Sequence, residues 1–155
     1  MAIYIITDEW LFHDLLGQNG TDKQEETSRF LVRLAQNDDK LLVLKESPFE
    51  EKTKLLLKNS SNDRVVRGVS QLLQSSILRD SEKTIFIKPE DAKPIPDFLT
   101  KLVPAEDQYL FVIHQKYKGS VIVTTDKRWN KKVYENKTYN IEIRDVFLQK
   151  YLTGK

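Results

Sequence analysis

Four short apolar runs constrain the fold of this chain more than any other feature: Ile3-Tyr4-Ile5-Ile6, Leu41-Leu42-Val43-Leu44, Thr84-Ile85-Phe86-Ile87 and Val121-Ile122-Val123-Thr124. Their continuous apolar character is the pattern of buried strands, covered on both faces. Between them, apolar residues recur at helical spacing. Trp10, Leu11, Leu15 and Leu16 form a stripe that stops at Gly17. Thr21-Asp22 is expected to cap a second helix carrying Phe30, Leu31 and Leu34. After a turn at Asn37–Asp39 and the second strand, Ser47-Pro48 opens a helix expected to reach about Lys58 and to break at Asn59–Asn62. Val65, Val66, Val69, Leu72, Leu73, Ile77 and Leu78 mark a further helix. Pro89, Pro94 and Pro96 mark a stiff loop that leads into a short helix ending at Leu102. Pro104-Ala105-Glu106-Asp107 starts a helix with Leu110, Phe111, Ile113 and His114. A last strand over Thr138–Ile143 and a closing helix around Phe147 and Leu148 complete the order. Strands alternating with helices predict an α/β fold, a three-layer α/β/α sandwich with a mainly parallel central sheet. The 155 residues show no repeat, linker or low-complexity stretch, so residues 1–155 are expected to form a single domain.

Composition excludes several classes of function. The chain has no cysteine, so disulfides and thiolate metal sites are out, and a cytoplasmic location is the natural expectation. His13 and His114 are the only histidines, too few for a histidine-built zinc site. A net charge of +2 does not by itself mark a nucleic-acid binder. The opening MAIYIITDEW has no basic segment and no apolar run long enough for a signal peptide. Nothing approaches the ~18 apolar residues of a membrane span, so no membrane partner is expected.

In open parallel sheets the working site lies outside the carboxyl ends of the strands. Asp8 follows the first strand, Asp126 follows the fourth, and Asp107 opens the helix that feeds the fourth. Each alone reads equally well as a helix cap. Together, three carboxylates on one sheet edge repel one another unless a cation neutralises them. Oxygen donors without Cys suit Mg²⁺ or Mn²⁺, ions that activate water for phosphoryl chemistry. Lys127, Arg128, Lys131 and Lys132 follow Asp126 directly and would hold phosphates, with Arg79 and Lys83 as an extension of the patch. Trp129 has two readings, base stacking or core anchoring. Trp10 and His114 are read as packing residues.

The stretches "IYIITD" and "EDQYLFVIHQKYKGSVIVTTDKRW" resemble the PIN domain, a compact α/β/α nuclease fold found in ribonucleases that include toxins of toxin–antitoxin pairs. A strand-terminal Asp near the start matches Asp8. An Asp followed three residues on by Leu matches Asp107 and Leu110. An apolar strand ending in Thr-x-Asp matches Thr124 and Asp126. The resemblance implies a metal-dependent endoribonuclease with Asp8, Asp107 and Asp126 as catalytic residues and as ligands of Mg²⁺ or Mn²⁺. It implies an RNA substrate, single strands included, a small antitoxin protein as partner, and a homodimer. Thr124, Lys127 and Arg128 are expected at the substrate. The family usually adds a Glu early in the helix after the second strand. Here Glu51 is the nearest candidate for a fourth metal ligand, Glu50 is next, and Lys52 competes for the position. A Lys there would bind phosphate directly or stand in for a cation. Lys88–Ala105 is longer than the corresponding link in the small toxin ribonucleases, and is expected to serve as a rim of the groove or as a spacer. The alternative is a PIN-like module that binds nucleic acid or protein without cutting. A response-regulator-like domain fits less well, because it has no place for an acid as late as Asp126.

Overall fold

The computed structural model describes residues 1–59 and 62–154. Five parallel strands form one sheet: β1 (Tyr4–Thr7), β2 (Lys40–Leu44), β3 (Thr84–Ile87), β4 (Val121–Thr124) and β5 (Ile141–Ile143). Their spatial order is β3-β2-β1-β4-β5. Helices cover the sheet as a three-layer α/β/α sandwich. They are α1 (Trp10–Leu15), α2 (Thr21–Gln36), α3 (Pro48–Asn59), α4 (Arg64–Leu72), α5 (Asp97–Leu102), α6 (Gln108–Lys116), α7 (Lys131–Tyr134) and α8 (Arg144–Thr153).

The central strands are apolar because they have no wet face. Ile5, Ile6, Leu41, Ile122 and Val123 are all buried, and each such side chain contributes roughly 1.5–3 kcal/mol by leaving water. The helices α2 and α8 meet through Phe30, whose ring lies edge-on to Phe147 and Tyr151. The helix α6 lies along β1, β2 and β4 and inserts Leu110, Phe111 and Ile113 into the same core. β3 departs from the two-sided burial expected of it. It is an edge strand, and Phe86 stays 39% exposed beneath the Lys45 ammonium.

Several local expectations are corrected by hydrogen bonding. Thr21 does not cap α2 but is its first residue, after Gly20 at φ 100°. Asp63 caps α4 by accepting from the Val65 and Val66 N–H groups. The helix then widens to a π-helical turn over Leu73–Leu78. The break expected at Asn59–Asn62 falls partly on Ser60 and Ser61, which lie outside the described residues. The last strand is shorter than Thr138–Ile143, because the Asn136 carboxamide accepts from the Thr138 N–H and its carbonyl from the Tyr139 N–H. That turn takes the backbone groups a ladder would need. The Lys88–Ala105 segment is a spacer braced on α6: the Gln115 amide donates to the Pro94 carbonyl and the Gln108 amide to the Val103 carbonyl. Among the described residues no helix is long and apolar enough to cross a membrane.

The strand order fixes where a site can form. From β1 the chain moves outward through β2 and β3, then returns to the other side of β1 for β4 and β5. The carboxyl ends of β1 and β4 therefore lie side by side at the point where the direction reverses, with Thr7 opposite Val123. Backbone connections diverge there and leave a crevice.

Candidate active site

The first residues beyond β1 and β4 open onto that crevice. A pocket of about 340 Å³ is lined by Asp8, Glu9, Trp10, His13, Asn19, Glu106, Asp107, Thr125, Asp126 and Arg128. Three of the acids expected from sequence, Asp8, Asp107 and Asp126, are thus brought to one hollow from three separate segments. Glu51 and Lys52 are not among its lining residues. Glu51 stands exposed in the first turn of α3, as a solvated helix face requires.

Asp8 is only 8% exposed. Its Oδ1 accepts from the Trp10 N–H at 3.0 Å and its Oδ2 from the Thr124 hydroxyl. Thr124 is fully buried, and its oxygen also accepts from the Asp126 N–H at 3.0 Å. The Thr-x-Asp pattern therefore ties the two strand ends together. Thr124 orients Asp8 and does not present its hydroxyl to a substrate. Burial pushes the Asp8 carboxyl up to about 6, against the Thr124 and Trp10 bonds, with the Asp107 charge adding to the rise.

Asp107 ends the 3₁₀ turn Ala105–Asp107 and precedes α6, yet its side chain makes no capping bond. Its Oδ2 accepts instead from the Trp129 Nε1–H at 3.1 Å. Trp129 is a core anchor, 4% exposed, against the rings of Phe111 and Tyr134. Burial raises the Asp107 carboxyl above its ordinary value, the Trp129 bond opposes this, and the Asp126 charge reinforces it.

Asp126 differs from both. Burial would raise it, but the Arg128 side chain and N–H outweigh that and hold its carboxyl below the usual range. The Arg128 N–H donates to Oδ1 at 2.8 Å, Nε to the same oxygen at 3.3 Å, and Nη2 to Oδ2 at 3.3 Å. The Tyr134 hydroxyl holds the Asp126 carbonyl and fixes the loop from below.

The other expected cations divide by sheet edge. Lys127 is exposed beside Thr125, where an adjoining hollow of about 280 Å³ shares Asn19 and Thr125 with the acid pocket. Arg79 and Lys83 precede β3 and so sit at the opposite, amino-terminal end of the strands. Lys83 donates to the Asn37 carbonyl there, and neither extends the patch. Lys131 pairs with Glu135 at 3.7 Å on the surface of α7. His114 is a packing residue, 2% exposed, accepting from the Asn140 N–H at 3.3 Å.

Sequence reading did not single out His13, Glu9 or Asn19 at the pocket. Glu9, the N-cap residue of α1, and His13 within it lie 4.0 Å apart, and that i, i+4 spacing after Asp8 was the available signal. Tyr109 was also passed over. Its hydroxyl is buried without a hydrogen-bond partner among the described residues. Burial, then the charges of Asp8, Glu9 and Asp107, push it well above the ordinary tyrosine range.

The three expected acids offer only oxygen donors, and Asp107 Oδ1 carries no hydrogen bond among the described residues. Among the described residues Asp8 has no cationic partner, although it is buried and feels the charge of Asp107. The carboxylates do not yet converge: among the described residues no three His, Asp or Glu groups are placed so as to hold a metal ion. Comparison with protein-family models, curated proteins and solved structures returns no significant match for the chain.

Proposed function

We propose that the protein is a PIN-like, metal-dependent endoribonuclease. One observation carries the reading. Asp8, Asp107 and Asp126 come from three distant segments to one pocket at the switch point of a parallel sheet, and two of them are raised by burial and by a neighbouring acid's charge. Carboxylates raised by neighbouring acids in a partly buried pocket favour a cation. Mg²⁺ or Mn²⁺ held by these three residues would neutralise the phosphate and polarise a water for attack on the phosphodiester.

The chain's own residues prepare that chemistry. Thr124 and the Trp10 N–H fix the Asp8 carboxylate, Trp129 fixes Asp107, and Tyr134 fixes the loop that carries Asp126. Each anchor restricts its acid before a ligand arrives, so less reorganisation is left for binding to complete. Lys127 and Arg128 are exposed at the rim, at a place suited to the phosphates on either side of the reacting one. An antitoxin and a second copy of the chain are the protein partners the PIN resemblance implies.

The test is cleavage of a labelled single-stranded RNA in Mn²⁺. In Asp8→Asn and in Asp126→Asn, cleavage should fall more than about 100-fold, beyond the loss expected for an outer-shell residue. Wild-type rates in either variant would remove the assignment.

A second reading, a PIN-like module that binds without cutting, is favoured by the position of Glu51. With that acid on the solvated face of α3, the pocket lacks the fourth member the resemblance calls for. Retarded RNA in a gel shift, with no cleavage in either ion, would select it.

A further inference from the structure

We infer that Arg128 is a built-in competitor for the cation, which holds the acid site unassembled until a phosphate takes the guanidinium away. The inference rests on the metal-site reading above and concerns its regulation. Arg128 closes on Asp126 through its own N–H and two guanidinium nitrogens, reaching both carboxylate oxygens. Its positive charge also faces Asp107 and Glu106. A guanidinium bonded to both oxygens takes up lone pairs and places a like charge where a divalent ion would sit, so it opposes metal binding there. Among the described residues no three acids are placed to hold a metal ion.

The grip is built to be released. The Arg128 side chain is 86% exposed, whereas Asp126 is 13% exposed. The carboxylate is anchored by the fold and the cation is not. A planar guanidinium matches a phosphate oxygen pair as well as it matches a carboxylate. An arriving phosphodiester therefore offers Arg128 a second seat at the same rim, beside exposed Lys127. Transfer of the Arg128 guanidinium from Asp126 to the phosphate frees Oδ2 and leaves Oδ1 with only the Arg128 N–H, at the moment the substrate is present. Metal and nucleic acid then tighten each other's binding by the same factor, as linkage requires. In the unloaded site Asp126 stays neutralised by its own arginine.

The sign of the test is unusual for a cation placed at a substrate. Removing Arg128 should weaken nucleic-acid binding but strengthen metal binding. The experiment is calorimetric titration of Mn²⁺ into wild type, Arg128→Gln, and the Asp8→Asn, Asp126→Asn double variant, with melting temperature as a check on folding. Arg128→Gln should bind Mn²⁺ about fivefold more tightly than wild type, a factor in keeping with the loss of one exposed competing cation. Arg128→Lys should fall between, since an ammonium cannot grip both oxygens. A non-cleavable single-stranded oligonucleotide should tighten Mn²⁺ binding to wild type more than to Arg128→Gln. Equal or weaker Mn²⁺ binding by Arg128→Gln, with wild type binding normally, would overturn the competitor role and leave the metal site standing. No binding by either protein, with or without the oligonucleotide, would remove the metal reading and this inference together.

Discussion

Asp8 and Asp14 lie six residues apart, both buried, and the fold treats them in opposite ways. Asp14 is fully buried and held by a ring of donors: Arg144 Nε at 2.7 Å, the Thr27 hydroxyl at 2.8 Å and the Asn19 amide at 2.7 Å. Arg144 is 1% exposed, reaches Glu26 and Asp145 as well, and lies over the Trp10 ring. Its charge is matched inside the protein. Asp8 has two hydrogen bonds and, among the described residues, no cation paired with it, and the charges that raise it are those of Asp107 and Glu9. A buried acid with its own arginine serves the fold. A buried acid left without one, beside other acids and at the mouth of a pocket, is a candidate for function rather than for stability.

The contrast breaks most visibly at Arg144. Arg144→Ala would strand the Asp14 carboxylate in the core and should destabilise by about 3–5 kcal/mol. The shift is read from the urea midpoint at constant slope. The paired replacement Asp14→Leu, Arg144→Met removes both charges and should recover most of the loss, since Glu26 and Asp145 keep access to water. A cost below about 1 kcal/mol for Arg144→Ala would mean Asp14 is not dependent on its partner, and the distinction would fail.

At Asp8 the sign reverses. Its folded-state value of about 6 lies above the ordinary 3.8, so the folded protein holds this proton more tightly than the unfolded chain. The contribution to stability is full below the lower value and is lost as pH rises through the upper one. Without divalent ions, Asp8→Asn should be more stable than wild type by about 1–3 kcal/mol at pH 8 and should match it at pH 4. Thermal melts in chelator at the two pH values decide this. A less stable Asp8→Asn at pH 8 would show that the Asp8 charge is already compensated, as that of Asp14 is.

Much of this was legible in the sequence, for reasons that differ by element. The central strands are readable because two-sided burial leaves only apolar residues in Ile5-Ile6, Leu41–Val43 and Val121–Val123. The three site acids are readable because a parallel sheet gathers its strand ends at one edge, so position after a strand predicts position in space. What escaped depends on contacts across long sequence separations. Arg144 meets Asp14 from 130 residues away, and Trp129 meets Asp107 from 22. No local pattern encodes either pairing. The short last strand escaped because Asn136 made a turn from residues whose β-branched and aromatic side chains read as a strand. Arg79 and Lys83 were assigned to the wrong end of the sheet because charge patterning alone does not distinguish the entry of a strand from its exit.

Glu51 supplies the smallest expected effect and the sharpest control. It is an acid matched by water, neither paired like Asp14 nor dry like Asp8. Solvent carries its charge, so its removal disturbs neither the core nor the pocket. Glu51→Gln should therefore change stability by less than about 0.5 kcal/mol and leave Mn²⁺ affinity within error of wild type. The Mn²⁺ titration that compares wild type with Arg128→Gln measures this. A large loss of Mn²⁺ binding in Glu51→Gln would mean that α3 swings its first turn toward the pocket when the cation arrives. The acids of the site would then number four, assembled by the ligand, and exposure in the free protein would no longer separate a solvated acid from a working one.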